Sequence, residues 1–254
     1  MNGILYFSST GNSLYVAQTV QKNMTGELRY IPGYKGNGSE YEKIIIVSPV
    51  YSYGLPVHVF DLLPSLRGRD VYMILTYGGM LAGADRLAYE YACESGLNVK
   101  GVYAVKMAEN FTLTFSTPDF YNKLVLRAAP GKIERVIASI CGNEERIPKE
   151  KKTKRLEHET NKANWHLIAK DFSVTDDCIQ CEKCVKLCPS GNISVKEGKI
   201  HFAESCVACL GCYHRCPQKA IRYKNRKKMD RYFHPDVKEN DLGKDTFVEG
   251  VENR

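Results

Sequence analysis

Eight of the ten cysteines in this 254-residue chain lie between positions 178 and 216. They form two runs with the same spacing, C-x2-C-x2-C-x3-C-P, and CVACLGCYHRCPQKAI repeats CIQCEKCVKLCPSGNI after 28 residues. Thiolates three residues apart in a tight loop can converge on three corners of an iron–sulfur cube. A structural zinc site usually takes two C-x2-C pairs with a longer spacer, and a disulfide framework does not crowd its cysteines this way. The pattern therefore favours two iron–sulfur centres.

Over roughly residues 171 to 224 the two runs closely resemble a bacterial-type 2[4Fe-4S] ferredoxin. In such ferredoxins the fourth cysteine of each run ligates the other cluster. The resemblance implies one ligand set of Cys178, Cys181, Cys184 and Cys216, and a second of Cys206, Cys209, Cys212 and Cys188. Crossed ligation would make metal binding and folding a single event. Between the runs, ISVKEGKIHF alternates apolar and polar residues about a Glu-Gly centre and predicts a hairpin.

The other two cysteines, Cys93 and Cys141, lie outside both runs. Each stands beside a helical stripe of apolar residues. We expect both to be small buried residues rather than ligands or nucleophiles.

A second candidate site lies in FSSTGNSLYVAQTV, residues 7 to 20, where an apolar strand turns into a helix. The turn offers hydroxyl groups and the free N–H groups of a helix N-terminus, an arrangement that binds anions. It lacks the lysine of a G-x4-G-K-[ST] loop and the glycines of a G-x-G-x-x-G loop, which argues against a nucleoside triphosphate or a dinucleotide. A monophosphate held by neutral donors remains, although such a turn can also simply cap its helix.

This turn is similar to the phosphate loop of flavodoxins, which receives the ribityl phosphate of FMN. SPVYSYGLP (48–56) and TYGGMLAG (76–83) are similar to the second and third flavin loops of flavodoxin-like proteins. The resemblance implies these flavin-binding residues: Ser8, Ser9, Thr10, Gly11, Asn12, Ser13, Pro49, Val50, Tyr51, Ser52, Tyr53, Gly54, Tyr77, Gly78 and Gly79. Tyr51 or Tyr53 would stack on the ring or line its pocket, and the absence of the tryptophan found in many short flavodoxins leaves open which aromatic covers the ring. Asn110 and Phe111 are further candidates for the open side.

The elements that must position these loops alternate between strand and helix. Short apolar runs at 4–7, 44–47, 71–77 and 102–105, with a weaker one at 27–31, predict five strands buried on both faces. Stripes at helical spacing separate them. We therefore expect an α/β fold with a doubly wound, five-stranded parallel sheet, followed by a small α+β ferredoxin domain. The three loops then fall at the carboxyl ends of strands, where such sheets bind ligands.

Four segments follow from this interpretation. Residues 1–142 form the flavodoxin-like FMN domain, whose last helix begins at Thr117-Pro118 and is interrupted at Pro130-Gly131. Residues 143–170 form a charged, partly helical linker that packs on the first domain through Trp165, Leu167 and Ile168. Residues 171–224 form the ferredoxin domain. Residues 225–254 form a tail that is either partly disordered or laid over the surface.

Charge and hydropathy exclude some classes of function. A formal charge of +7 often indicates a polyanionic partner, but no nucleic-acid fingerprint accompanies it, and two anionic clusters with a flavin phosphate would offset most of it. No apolar run is long enough to span a bilayer, and the N-terminus lacks the pattern of a signal peptide. We expect a cytoplasmic protein that binds no nucleic acid.

The whole chain looks like the flavodoxin–ferredoxin fusion proteins of anaerobe-type metabolism. The resemblance implies an electron-transfer protein that passes electrons between FMN and two [4Fe-4S] clusters, and exchanges them with a redox partner protein or a small-molecule acceptor. Cationic residues in the cluster loops, Lys183, Lys186, His214 and Arg215, would either steer an acidic partner or form a solvated surface.

Two alternatives stay open beside the electron carrier. In one, the protein is an FMN-dependent reductase fed by the ferredoxin domain, with KMAENFTLTFSTPDF walling a substrate pocket. In the other, it is a redox-responsive adaptor that acts through its tail, RYFHPDV (231–237). No catalytic residue is assigned, and the sequence leaves the electron donor, the direction of flow and the oligomeric state open.

Overall fold

Five parallel strands form the main sheet of the protein, whose computed structural model describes residues 1–113, 117–224, 226 and 230–248. The strands are β1 (Asn2–Tyr6), β2 (Gly26–Tyr30), β3 (Lys43–Pro49), β4 (Asp70–Tyr77) and β5 (Asn98–Lys106). They lie in the order β2-β1-β3-β4-β5, which is the strand order of flavodoxin. The predicted doubly wound parallel sheet is confirmed.

Helices cover both faces of this sheet. They are α1 (Asn12–Asn23), α2 (Val57–Leu62), α3 (Ala84–Glu94) and α4 (Asp119–Cys141). Because side chains alternate along a strand, Ile4 and Tyr6 pack against α1 and α4, whereas Leu5 and Phe7 pack on the face of α2 and α3. The two resulting cores fix the carboxyl ends of the strands relative to each other.

Helix α4 runs without a break through Pro130, so the interruption predicted there is wrong. A proline inside a helix removes one backbone hydrogen bond. A buried stripe compensates, since Ala129, Ile133 and Ile140 hold the helix on the sheet. Residues 114–116, within the segment offered above as a pocket wall, lie outside the described residues.

The segment 143–170 is helical in its second half. It contains α5 (Arg155–Asn164), followed by a 3-10 turn, Trp165–Asp171. Trp165 is buried, but Leu167 is 41% exposed, so its predicted packing is wrong. Ile168 packs beside Leu210 and Tyr213 of the cysteine-rich region. The segment thus lies between the two halves of the molecule.

The cysteine-rich region consists of two copies of one small unit. Its elements are β6 (Phe172–Val174), α6 (Lys183–Lys186), β7 (Ile193–Lys196), β8 (Lys199–Phe202), α7 (Gly211–Arg215) and β9 (Ile221–Tyr223). Strand β7 pairs with β8 in the predicted hairpin, and β6 pairs with β9, so each copy pairs with the other. Positive φ angles recur at matching positions, 54° at both Gln180 and Ala208, which shows that both cysteine loops have the same backbone path.

The described part of the C-terminal tail is packed against the rest of the protein. Of its residues, 225, 227–229 and 249–254 lie outside the described part, and 230–248 pack on the first domain, with His234, Val237 and Leu242 buried. Its strand β10 (Thr246–Val248) pairs antiparallel with β2. The sheet therefore has a sixth, edge strand that the sequence did not predict. None of the described helices has both the length and the apolar character needed to cross a bilayer.

Candidate functional site

A cavity of about 660 Å³ lies at the carboxyl ends of β1, β3 and β4. Its volume falls in the usual range for cofactor and small-molecule sites. Thirteen of the fifteen predicted flavin-binding residues line it: Ser8, Ser9, Thr10, Asn12, Ser13, Pro49, Val50, Tyr51, Ser52, Tyr53, Tyr77, Gly78 and Gly79. The other two, Gly11 and Gly54, lie behind its wall. The structure thus brings the three predicted loops together around one space.

The first loop is an anion cradle built from neutral groups. Gly11 precedes α1 with a φ of 95°, and its N–H donates to Ser8 Oγ at 3.2 Å. Thr10 Oγ1 accepts from Asn110 Nδ2 at 2.8 Å, so the Thr10 hydroxyl proton is left to donate to a ligand. The N–H groups of the first turn of α1 have no helical partner and add to this donor set. The cradle suits a phosphate.

The side chains of Ser9 and Asn12, like that of Ser13, whose Oγ lies 2.8 Å from Thr76 Oγ1, are bound to protein groups. Ser9 Oγ donates to the Cys209 carbonyl at 2.7 Å and lies 3.1 Å from Tyr51 Oη. Because a hydroxyl carries one proton, Ser9 has none left for a ligand. Asn12 donates from Nδ2 to the Ala108 carbonyl at 2.9 Å and accepts at Oδ1 from Tyr232 Oη at 2.5 Å. These two side chains shape the loop.

The second loop makes a tight turn of unusual backbone conformation. Tyr51 and Gly54 exchange both backbone hydrogen bonds, at 2.9 and 3.0 Å, and the central residues Ser52 and Tyr53 have φ of 45° and 69°. Left-handed backbone at a bulky residue is strained and tends to mark functional sites. A Cβ on Gly54 would lie 2.6 Å from the His158 ring, so this glycine makes room for the imidazole.

Three aromatic rings line the cavity near this turn: Tyr51, Tyr53 and Trp165. The Tyr51 and Trp165 rings meet edge to face with 6.0 Å between centroids. Burial raises the pKa of Tyr51 well above its usual value, so its hydroxyl stays protonated. Trp165, from the segment after α5, supplies the indole that the second loop lacks. The sequence marked it only as a packing residue.

The third loop faces an acidic residue. Gly78 and Gly79 lie under Glu109, whose Oε2 would be 2.8 Å from a Cβ on Gly78. Glu109 Oε1 accepts from the Phe111 N–H at 2.7 Å. Further lining residues that the sequence did not assign to the site are Thr76, Met80, Ala108, Glu109, Glu157, Asn161, Asn164, Trp165, Ile168, Ala208, Cys209 and Leu210. Within the described ranges, the charged side chains of the lining are two carboxylates.

The eight clustered cysteines surround two smaller cavities. Cys178, Cys181, Cys184 and Cys216 line the first, here called the outer site. Cys188, Cys206, Cys209 and Cys212 line the second, here called the inner site. These are the two crossed sets that the resemblance implies. The remaining cysteines, Cys93 and Cys141, are exposed, so the prediction that they are buried is wrong.

The donor chemistry of both sites fits an iron–sulfur cluster. Burial raises the pKa of the Cys209 thiol to about 12 and that of Cys184 to about 11, so thiolates need a bound cation here. Backbone N–H groups donate to Cys188 Sγ at 3.2 Å and to Cys216 Sγ at 3.3 Å, as is common around cluster sulfurs. Among the described residues no three His, Cys, Asp or Glu side chains converge on a single-ion position.

The inner site shares a wall with the large cavity. Cys209 and Leu210 line both spaces, and Ser9 of the cradle holds the Cys209 carbonyl. His58 Nε2 lies 3.1 Å from Oγ of Ser190, which lines the inner site from the other side. The outer site instead reaches the surface, where Cys181 is exposed and Ile179 is 60% exposed.

Two of the cations expected around the clusters share one carboxylate. Lys183 and Arg215 both bind Glu239 of the tail, at 2.7 and 2.9 Å. Burial lowers the pKa of His214 to about 4. Its Nδ1 accepts from the Tyr232 N–H at 3.0 Å, so Nε2 carries the proton and donates to the Asn110 carbonyl at 2.7 Å. The positive field is weaker than the sequence suggests.

Both halves of the chain are similar to known proteins. A family model described as a 4Fe-4S dicluster domain matches residues 177–221. No curated protein has a significantly similar sequence. Several solved structures match the first half weakly.

Three of these structures are flavodoxins. Two-electron reduced Megasphaera elsdenii flavodoxin is 21% identical, with 41% of this chain and 85% of that chain covered and a TM-score of 0.36. Fusobacterium nucleatum flavodoxin bound to flavin mononucleotide is 15% identical, with 57% and 98% covered and a TM-score of 0.41. A flavodoxin from the domain Archaea is 19% identical, with 54% and 99% covered and a TM-score of 0.34.

The N-terminal assignment rests on the strand order of the sheet itself, and the C-terminal one on the family match. The chain therefore joins a flavodoxin-like α/β fold to a region that matches a 4Fe-4S dicluster domain over residues 177–221.

Proposed function

We propose that the protein transfers electrons between FMN, bound in the large cavity, and two [4Fe-4S] clusters, bound at the inner and outer sites. The observation that carries this proposal is the shared wall: Ser9 of the cradle holds the carbonyl of Cys209, a ligand residue of the inner site, at 2.7 Å. FMN supplies two-electron chemistry that can be split into single electrons, and clusters carry one electron each. A fixed separation between them avoids a diffusional encounter.

The residues of the chain have separate tasks in this proposal. Thr10, Ser8 and the N–H groups at the start of α1 hold the phosphate. Tyr51 and Trp165 lie beside the flavin ring and exclude water from the cavity wall next to Cys209. The cysteines hold the clusters, and Ser9 keeps the inner cysteine loop against the cradle. Buried polar groups that are hydrogen-bonded in this way keep a site rigid.

The positions of the two cysteine sites give the electron-transfer path a flavin end and a surface end. The inner site adjoins the cavity, and the outer site lies at the surface beside exposed Ile179. We therefore assign exchange with a redox partner protein to the outer site.

The test is cofactor stoichiometry on the full chain purified without oxygen. We expect about one FMN and about eight iron and eight sulfide per chain, the content of two four-iron clusters. Dithionite should bleach both the flavin and the cluster absorbance. Clusters without flavin, even after FMN is added back, would contradict the proposal and leave the first domain with another phosphorylated ligand.

A second candidate, an FMN-dependent reductase of a small molecule, is favoured by one observation. Glu157, Asn161 and Asn164 extend the cavity lining along one polar face of α5, beyond the three flavin loops. With carboxylates as the charged lining groups, an uncharged or cationic acceptor would enter more readily than an anion. Oxidation of the reduced protein by matched neutral, cationic and anionic acceptors tests this, and equal rates would count against it.

The adaptor alternative gains no support from the tail. RYFHPDV packs against α1 and the cradle through the buried His234 and Val237, and its exposed residues are Pro235 and Asp236.

A further inference from the structure

The tail segment 230–237 covers the face of the phosphate cradle that points away from the cavity. The His234 ring stacks on Tyr15 of α1 with 4.3 Å between centroids. The His234 N–H donates to the Thr10 carbonyl at 2.9 Å. A Cβ on Gly11 would lie 2.8 Å from His234 Cβ, so the tail leaves no room for a side chain there. The cradle is enclosed between the cavity and the tail.

The strongest contact is the one between Tyr232 and Asn12, the first residue of α1. Asn12 is 8% exposed, and both ends of its amide are bound: Nδ2 donates to the Ala108 carbonyl, and Oδ1 accepts from Tyr232 Oη at 2.5 Å. Tyr232 must donate, because the Asn12 oxygen has no proton. Its hydroxyl is thereby fixed by an atom of the cradle.

The tail is in turn held by the cysteine-rich region. The Tyr232 N–H donates to His214 of α7, and His214 donates to the Asn110 carbonyl. Asn110 Nδ2 donates to Thr10 Oγ1 at 2.8 Å. Tyr213 of α7 and Thr112 both donate to the Asp230 carbonyl, at 3.0 and 2.7 Å. A continuous set of hydrogen bonds connects α7 and the tail to the cradle.

We propose that Tyr232 is a positioning residue for the phosphate of the bound flavin. By fixing Asn12, it sets the direction of the free N–H groups at the start of α1, while His234 and Asn110 set the Thr10 hydroxyl. This inference rests on the proposed function, since it takes FMN as the ligand. It adds that the C-terminal tail, remote in sequence from the three flavin loops, determines selectivity for a phosphorylated flavin.

The test compares FMN with riboflavin, which has the same ring and no phosphate. Full-length protein with its clusters intact is freed of flavin without oxygen, and each flavin is titrated by quenching of its fluorescence. We expect Tyr232→Phe to weaken FMN roughly three- to tenfold, the loss of one oriented hydrogen bond, and to leave riboflavin affinity unchanged.

The matched control is Tyr6→Phe. Tyr6 Oη also anchors the tail, accepting from the Gly243 N–H at 3.0 Å and donating to the Lys244 carbonyl at 3.1 Å, and its hydrogen bonds among the described residues are with the tail. It should keep the wild-type ratio of FMN to riboflavin affinity. If Tyr6→Phe lowers that ratio as much as Tyr232→Phe does, the tail merely stabilises the fold and the inference is wrong.

The outcomes separate this inference from the proposed function. If Tyr232→Phe keeps the wild-type preference for FMN over riboflavin, or loses affinity for both flavins equally, Tyr232 does not position the phosphate. The proposed flavin function is unaffected by either result. A wild-type protein that binds neither flavin overturns both.

A second measurement needs no variant. Coupling between two sites is reciprocal, so FMN must stabilise the tail if the tail positions the cradle. We expect FMN, but not riboflavin, to slow amide hydrogen exchange in residues 230–237. Equal protection by both flavins, or none by FMN, would contradict the inference even if Tyr232→Phe fails to fold.

Discussion

The inner and outer cysteine sites have the same spacing, the same backbone path and opposite surroundings. The inner site is fixed to the flavodoxin-like domain from two sides, by Ser9 on Cys209 and by His58 on Ser190. The outer site contacts the tail through Lys183 and Glu239 and opens to solvent at Cys181. The two copies of the repeat thus have different surroundings, which is the basis for the different tasks proposed for the two sites.

The difference between the inner and outer sites is tested most strongly by replacing one cysteine of each site. Cys184→Ala should lower iron from about eight to about four per chain and leave FMN affinity near wild type. Cys209→Ala should lower iron similarly and also weaken FMN at least about tenfold, since it loosens the loop that forms the wall of the cavity. Iron analysis and flavin titration on both variants check this pair.

Equal FMN affinity in Cys184→Ala and Cys209→Ala would show that the two sites are equivalent toward the flavin. Loss of all iron in both would show that the dicluster domain assembles as one unit, as crossed ligation permits.

A smaller effect is expected from the polar contacts that hold each site. Ser9→Ala removes the partner of the Cys209 carbonyl in a part-buried hydrogen bond whose donor, Ser9, is 7% exposed, which costs about 2 kcal/mol of stability. Glu239→Gln weakens two ion pairs, in which Glu239 and Lys183 are about one-third exposed and Arg215 is 6% exposed, and because the amide oxygen of Gln can still accept hydrogen bonds the cost is about 1 kcal/mol. Denaturant unfolding followed by flavin fluorescence should rank the two in that order, and the reverse rank would break the comparison.

Mildly acidic pH should destabilise the region of the flavin cavity before it destabilises the outer site. Burial lowers the pKa of His234 to about 4, against about 6.5 when unfolded, and Asp236 only partly opposes this. The unfolded chain therefore binds more protons between these values, and stability falls as pH drops below about 6.5, by about 1 kcal/mol at pH near 5.5. His234→Gln should show a smaller fall in the flavin-release temperature between pH 7.5 and about 5.5.

The ion pairs of Glu239 beside the outer site should not contribute to the change in stability between pH 7.5 and about 5.5. Burial alone would raise the pKa of Glu239, but hydrogen bonds from Lys183 and Arg215 hold it below its usual value. Its stabilisation is present above the unfolded pKa and is lost only as pH falls through the lower folded value. An identical acid response in wild type and His234→Gln would exclude His234 as the group responsible.

The smallest effect concerns a cation close to both sites. Arg231 stacks on Tyr213 at 3.6 Å and donates to the Ile221 carbonyl at 2.6 Å, and among the described residues no carboxylate pairs with it. Burial lowers its pKa, while the nearby thiols of Cys216 and Cys212 act the other way, Cys216 more strongly. A bound anionic cluster would supply the missing counter-charge.

Arg231→Gln should therefore make the cluster potentials more negative by roughly 40 mV, the equivalent of about 1 kcal/mol for one electron. The outer cluster should shift more than the inner one. Lys183→Gln should shift the potentials less, because Lys183 is about one-third exposed to solvent and shares Glu239 with Arg215. A redox titration followed by electron paramagnetic resonance measures the potentials of both clusters. An unchanged potential of the outer cluster would show that Arg231 is not its counter-charge.

The parts predicted from the sequence are those with a local signature. Buried parallel strands need continuous apolar runs, so β1, β3 and β4 could be located from the sequence and the sheet is confirmed. The spacing of the cysteines and the hydroxyl-rich turn likewise report their own chemistry. Each of these signals is contained in about twenty residues.

The parts that were missed depend on distant contacts. Trp165 and Asn161 line the cavity only because α5 folds back across it, and no local pattern encodes that. Strand β10 has three residues and pairs on one side, so it has little signal of its own. Pro130 predicted a break, but packing of α4 on the sheet outweighs one lost hydrogen bond.

The most direct test is anomalous diffraction at the iron edge from crystals of the FMN-bound protein grown without oxygen. The account predicts two iron peaks, one enclosed by Cys188, Cys206, Cys209 and Cys212, the other by Cys178, Cys181, Cys184 and Cys216. Flavin density should fill the large cavity on the far side of the Cys209 wall. Iron bound run by run, with Cys188 joining Cys178, Cys181 and Cys184, or flavin density elsewhere, would contradict it.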